Sequence, residues 1–149
     1  MRTLLFFTVF MLGILVASGQ ATQKYNTFYD RTEFFDTYGN MIGYAKENTF
    51  YKRIEYYDAQ GNLIKYEKKN NFYDRTETYD AEGRQQGYEK ENSFLNRTEE
   101  YDTRGNQKGY RKWNEFYERY DLYDSNDRKM GHYKYNTFKE RWEFTESSY

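Results

Sequence analysis

The feature that most constrains this chain is a phrase of 22 residues written repeatedly. Asn26, Asn48, Asn70, Asn92, Asn114 and Asn136 open successive copies, and Phe28, Phe50, Phe72, Phe94, Phe116 and Phe138 follow two residues later. Arg31, Arg53, Arg75, Arg97, Arg119 and Arg141 keep the same step, as do Glu33, Glu55, Glu77, Glu99, Asp121 and Glu143. Five full units cover 26–135 and a truncated sixth covers 136–149. Such self-similarity means one supersecondary unit stacked on its own copies, because a unit this short cannot bury an apolar face alone.

Each unit reads N-x-F-Y-x-R-x-E-x-Y-D, then x-x-G-N, then a segment ending G-Y-x-K. Aromatic and β-branched residues suit strands, and Gly39, Gly61, Gly83 and Gly105 stand three residues after Asp36, Asp58, Asp80 and Asp102. An Asp opening a type I turn, with Gly in the left-handed position, closes a hairpin. With a three-residue loop Asp58 pairs with Asn62, and counting outward sets Arg53 opposite Glu67, Arg75 opposite Glu89 and Glu55 opposite Lys65. The same count sets Glu33, Glu77 and Glu99 opposite Gly43, Gly87 and Gly109, and on the other face Asp30 meets Lys46 and Asp74 meets Lys90. A slip of one residue would reverse every facing. At the other boundary there is neither Gly nor Pro, so Asn makes the turn or the strand bends. The expected fold is all-β: tandem hairpins in an elongated single sheet or β-solenoid. Asn136 to Phe144 would form an edge strand, either protected by Lys139, Glu140 and Arg141 or open to self-association or pairing with a partner.

The chain begins with Arg2, an apolar run from Leu4 to Val16, and the small residues Ala17 and Gly19 before Gln20. That pattern predicts a signal peptide over 1–19, its apolar run too short to span a bilayer. The repeat domain is then 20–149, and the protein is expected to be secreted, periplasmic or on the cell surface. No cysteine is present, so stability has to come from packing, and the apolar residues available for it are mainly aromatic. Discounting Arg2 leaves 22 basic against 24 acidic residues, which gives no electrostatic case for nucleic acid or an anionic membrane.

The inventory is poor for catalysis. His132 is the one histidine and stands in the column of Tyr44, Tyr66, Tyr88 and Tyr110, as a ladder member would. Without a cysteine or a His pair, no activated nucleophile or zinc site can be assembled, and the carboxylates recur beside Arg as structural ladders do. Each D-x-x-G turn offers too few acidic ligands for Ca²⁺. No cofactor is expected. Membrane insertion of the mature chain is not expected either, because charges recur on both strand faces.

The phrases YYDAQGNLIKYEK and YDTRGNQKGY resemble aromatic hairpin repeats of two kinds: the YD repeats of Rhs-type extracellular shells, and the choline- or glucan-binding repeats of bacterial surface proteins. The shared motif is Tyr-Asp, a turn glycine and a following aromatic; the period and the N-x-F-x-x-R-x-E element depart from both. The resemblance implies an exported β-repeat and, for the second kind, sugar or choline held against aromatic rings. It carries over no site residue.

The later units gain bulk at Trp113, Tyr120, Tyr133, Tyr135 and Trp142. This either caps the stack or concentrates an exposed aromatic face. The expected function is non-enzymatic binding at the cell surface or envelope, to a glycan, with Tyr110, Trp113, Tyr117, Tyr133, Tyr135 and Trp142 as the candidate ligand-binding set. The rival is a scaffold or interaction repeat whose faces meet a protein partner.

Overall fold

The turn after Asp58 shows why the chain reverses there. The Asp58 N–H donates to the Asn62 carbonyl at 2.9 Å, the Gly61 N–H donates to the Asp58 carbonyl at 3.1 Å, and the Asp58 carboxylate accepts from the N–H groups of Gln60 and Asn62. Gly61 sits at φ +89°, where a side chain would be strained. Turns after Asp36, Asp80 and Asp102 repeat this, and after Asp124 the left-handed place is taken by Asp127 at φ 61°. The opposite turns need no glycine. Asn70 Oδ1 accepts from the N–H groups of Phe72 and Tyr73, while its Nδ2 donates to Glu77 across the strands at 3.0 Å. The last residue of each such turn, Asp30, Lys52, Asp74, Asn96, Glu118 or Glu140, is left-handed with φ between 48° and 51°.

These turns connect twelve strands in a computed structural model that describes residues 20–148. They are β1 (Gln20–Asn26), β2 (Arg31–Asp36), β3 (Met41–Asn48), β4 (Arg53–Asp58), β5 (Leu63–Asn70), β6 (Arg75–Asp80), β7 (Gln85–Asn92), β8 (Arg97–Asp102), β9 (Gln107–Asn114), β10 (Arg119–Asp124), β11 (Lys129–Asn136) and β12 (Arg141–Glu146). The expected signal peptide lies outside the described residues. Every strand pairs antiparallel with its sequence neighbours, and β1 also pairs with β12, so the sheet closes into a barrel. This corrects the expected open sheet or solenoid. Residues 20–26 supply half a hairpin ahead of the first full unit, and the truncated sixth unit supplies the other half. Joined, they close the ring and leave no edge strand, so Asn136 to Phe144 does not lie at an edge.

The expected register is also corrected. Tyr57 pairs with Leu63 as counted, but Tyr56 then pairs with Lys65, because Ile64 bulges out of the ladder. The same shift passes over Ile42, Gln86, Lys108 and Met130 in the other hairpins. Beyond it every facing is reversed. Glu67 meets Ile54, Glu89 meets Thr76, Lys65 meets Tyr56, and Glu33, Glu77 and Glu99 meet Tyr44, Tyr88 and Tyr110 instead of glycines. Asp30 lies in the turn between β1 and β2 and accepts from the Tyr25 hydroxyl, and Asp74 pairs with Lys69 at 2.7 Å, with the Lys90 charge also acting on it.

The two faces divide the repeat by constancy. The constant columns point outward. On the outer wall Glu55 accepts from Tyr57 at 2.6 Å, Arg53 at 2.7 Å and Asn48 at 3.1 Å, and Glu77 and Glu99 are held by the same three kinds of donor. Arg53 lies between the rings of Tyr51 and Tyr66, and Tyr66 stacks on Tyr79 at 5.0 Å. The variable columns point inward. Gln23, Phe34, Ala45, Tyr56, Glu67, Thr78, Glu89, Glu100, Arg111, Leu122 and Tyr133 form a buried belt around the lumen. Its composition changes around the ring: apolar Phe34, Ala45 and Tyr56, then charged Glu67, Glu89, Glu100 and Arg111 with Thr78 among them on β5–β9, then Leu122 and Tyr133 packed with Tyr120, Trp142 and Phe144.

Candidate functional site: the aromatic mouth of the barrel

The barrel has two unlike ends. One carries the Asp-opened turns; the other carries the Asn-opened turns and is called the rim here. The residue before each rim asparagine faces inward, which sets Tyr25, Glu47, Lys69, Glu91, Trp113 and Tyr135 around the mouth, paired with Thr32, Ile54, Thr76, Thr98, Tyr120 and Trp142. The mouth is therefore two-sided. On one side Trp113 lies edge-on to Tyr120 at 4.8 Å, Tyr120 is 6.2 Å from Trp142, and Trp142 is 5.2 Å from Tyr135. Trp113 and Tyr135 are 37% and 38% exposed, so this chain of rings presents surface to solvent. On the other side stand exposed Glu47, Lys69 and Glu91.

The residues expected to form one exposed face are divided. Trp113, Tyr135 and Trp142 meet at the mouth. Tyr133 shares their inner face but is 2% exposed, packs on Phe144 at 4.9 Å, and its hydroxyl has no hydrogen-bond partner among the described residues. Burial pushes its pKa up. Tyr110 is on the outer wall, stacked on Tyr123 at 4.8 Å beneath the Arg97 guanidinium. Tyr117 lies on the rim under Arg119. The later bulk is not a cap, since a closed ring has no end to finish. His132 holds the tyrosine column of the outer wall, opposite Asp121 and Thr145. Burial first, then Arg119 and Lys129, lower its pKa.

Below the mouth lies a charged group that the repeat alone did not single out. Arg111 donates through both terminal nitrogens to Glu89, at 2.9 and 3.2 Å. Glu67, 4% exposed, accepts from Tyr56 at 3.3 Å and Lys65 at 3.5 Å. Burial pushes its pKa up to about 7, against Lys65, with Glu89 adding to the rise. Glu100 is raised to about 7 for the same first reason, with the Glu89 charge adding to it. The signal that marks these residues is departure from the repeat: Glu67, Glu89 and Arg111 occupy the column of Ala45 and Tyr133, and Lys65 stands where Gly43, Gly87 and Gly131 stand. Among the described residues no cluster of His, Cys, Asp and Glu is arranged to hold a metal ion.

Compared with known proteins, the chain matches no family model, no curated relative and no solved structure.

Proposed function

We propose that this protein is an exported, non-enzymatic binding protein that takes a glycan at the barrel mouth. The observation that supports this is the half-exposed ring chain Trp113–Tyr120–Trp142–Tyr135 facing Glu47, Lys69 and Glu91. Aromatic rings offer flat apolar area to the C–H face of a sugar, and carboxylates and ammonium groups across the opening suit its hydroxyls; barrel mouths are common places for such sites. The lumen carboxylates serve as filling rather than catalysts in this reading, because Glu67 and Glu100 are only 4% and 6% exposed and Glu89 is held by Arg111.

The test is retention of the 20–149 barrel, whose strands close on one another, by insoluble polysaccharides and peptidoglycan, with tryptophan fluorescence followed during soluble-sugar titration. Saturable retention that Trp113→Ala weakens about tenfold or more, with the melting curve unchanged, supports the mouth as the site. Failure of the folded barrel to be retained by any of the polysaccharides overturns the glycan reading.

A further inference from the structure

The repeated phenylalanine is not in the core. Phe28, Phe50, Phe72, Phe94, Phe116 and Phe138 are 84–94% exposed, each at the tip of a rim turn. Six large apolar side chains on one end of one molecule require an explanation. They do not stabilise the barrel by burial, and four of them lie edge-on to the adjacent tyrosine of their own turn, at 4.8–4.9 Å.

We propose that this rim docks on a lipid bilayer, with the phenylalanines as wedges among the headgroups and acyl chains while the barrel wall stays in water. Three further observations carry the choice of partner. First, the wedges are separate: neighbouring tips lie two strands apart, about 10 Å, so they form a ring of points rather than a continuous patch. A rigid protein would need six pockets at matching spacing, whereas a fluid bilayer accommodates the ring as it stands. Second, Lys24, Lys46, Lys68, Lys90, Lys112 and Lys134 are all exposed on the outer wall, two residues before each rim asparagine. That places a collar of ammonium groups about 7 Å behind the turns, the arrangement in which lysine heads meet phosphates while aromatic rings enter the interface.

Third, the turn backbone is prepared for partial desolvation. Asn26 and Asn70 each cap two N–H groups of their turns, and Asn48, Asn92, Asn114 and Asn136 each cap one. Carboxylates stand in the turns at both ends, Asp30, Asp74, Glu115, Glu118 and Glu140 at the rim and Asp36, Asp58, Asp80, Asp102 and Asp124 opposite, so selection of the phenylalanine end by an anionic surface rests on the lysine collar. The wall between carries the Arg, Glu and Lys columns and offers no apolar band, so the barrel rests on the surface without spanning it.

The test is co-flotation of the 20–149 barrel with phosphatidylcholine vesicles, with and without a minority of phosphatidylglycerol. The parent protein should float with both, more strongly with phosphatidylglycerol. Phe50→Ser with Phe72→Ser should lower the partition coefficient about tenfold or more on both, and Lys46→Gln with Lys68→Gln should lower it only on the anionic vesicles. Tyr38→Ser, at the other end, should change nothing. Vesicles with brominated acyl chains should quench tryptophan emission of the parent protein, a readout that needs no variant. The proposal is overturned by a parent protein that stays in solution with both vesicles, by flotation indifferent to the phenylalanines, or by a phenylalanine-dependent dimer in vesicle-free buffer, which would give the rim to a second copy. The mouth opens at this same rim, so a docked barrel turns Trp113 and Tyr135 toward the bilayer surface; flotation on sugar-free vesicles tests the rim, and retention on lipid-free polysaccharide tests the mouth, so either can fail without the other.

Discussion

Glu67 and Glu55 carry the same side chain with opposite electrostatics. Glu55, on the outer wall, is pushed up by burial, but hydrogen bonds from Tyr57, Asn48 and Arg53 outweigh that and hold its pKa below the ordinary 4.5; Glu77 and Glu99 behave alike. The same bonds push the Tyr57, Tyr79 and Tyr101 hydroxyls up to about 12. Glu67 and Glu100, in the lumen, are raised from 4.5 to about 7, chiefly by burial. Between these two values the folded barrel holds protons that the unfolded chain has released, so these groups make stability fall as pH rises through the window. The outer carboxylates act in reverse, losing their contribution as pH falls below the unfolded value. Stability should therefore peak near pH 5, and denaturant melts across pH should show Glu67→Gln shrinking the loss on the alkaline side by about 2–3 kcal/mol. An unchanged alkaline limb in that variant would mean Glu67 is ionised in the folded protein.

At the scale of the hairpin, what was legible and what was not separates at one residue. The Asp-opened turns, the strands and the membership of the Arg, Glu and Tyr columns followed from chemistry written identically in each unit. The register did not, because the bulged residue is Ile42, Ile64, Gln86, Lys108 or Met130, which share no side-chain property. A bulge costs one position in the count and moves Glu67 and Glu89 to the lumen, so the lumen charges could not be placed. Trp113, Tyr135 and Trp142 were legible as unusual residues, but only the true facing brings them together. The glycine after four of the five bulges is a sharper constraint. A Cβ on Gly87 would lie 2.5 Å from the Tyr101 carbonyl oxygen, and one on Gly43 would lie 2.4 Å from that of Tyr57. Gly87→Ala must shift the β7–β8 ladder and should cost about 2 kcal/mol, whereas Met130→Ala, at an exposed bulge, should cost under about 0.5. Chemical melts of the two variants compare them directly, and equal costs would mean the backbone yields at Gly87 as it does where Lys65 fills the same column.

For the whole molecule, closure depends on its termini. Residues 20–25 align with 42–47 but have Ala21 and Thr22 where that segment has Gly43 and Tyr44, so only Lys24 and Asn26 mark them as a half-unit, and the strand that closes the ring was hidden in what reads as a preface. Among the described residues the β1–β12 joint is also the shortest, with Thr22 opposite Glu143 and Gln23 opposite Trp142, against four to six paired residues at the other joints. A ring of hairpins transmits no strain relief past a joint, so the weakest one governs opening, and its amides should exchange fastest. Removing β12 by ending the chain at Asn136 exposes the edges of β1 and β11 and opens the lumen flank of Tyr133, which packs against Phe144. Two long unpaired edges are templates for other chains, so this variant should lose its sharp thermal transition and associate with rising concentration in sedimentation velocity. Covalent closure should act in the opposite direction. β1 begins and β12 ends at the Asp-turn end, so a circular permutant joining Glu146 to Gln20 by an Asp-x-x-Gly-Asn turn, opened at Glu82, turns the seam into an ordinary hairpin. It should melt higher than the parent, since the seam no longer has to form between distant ends of the chain. A monomeric, cooperatively melting chain ending at Asn136 would show instead that five hairpins hold their shape without the ring.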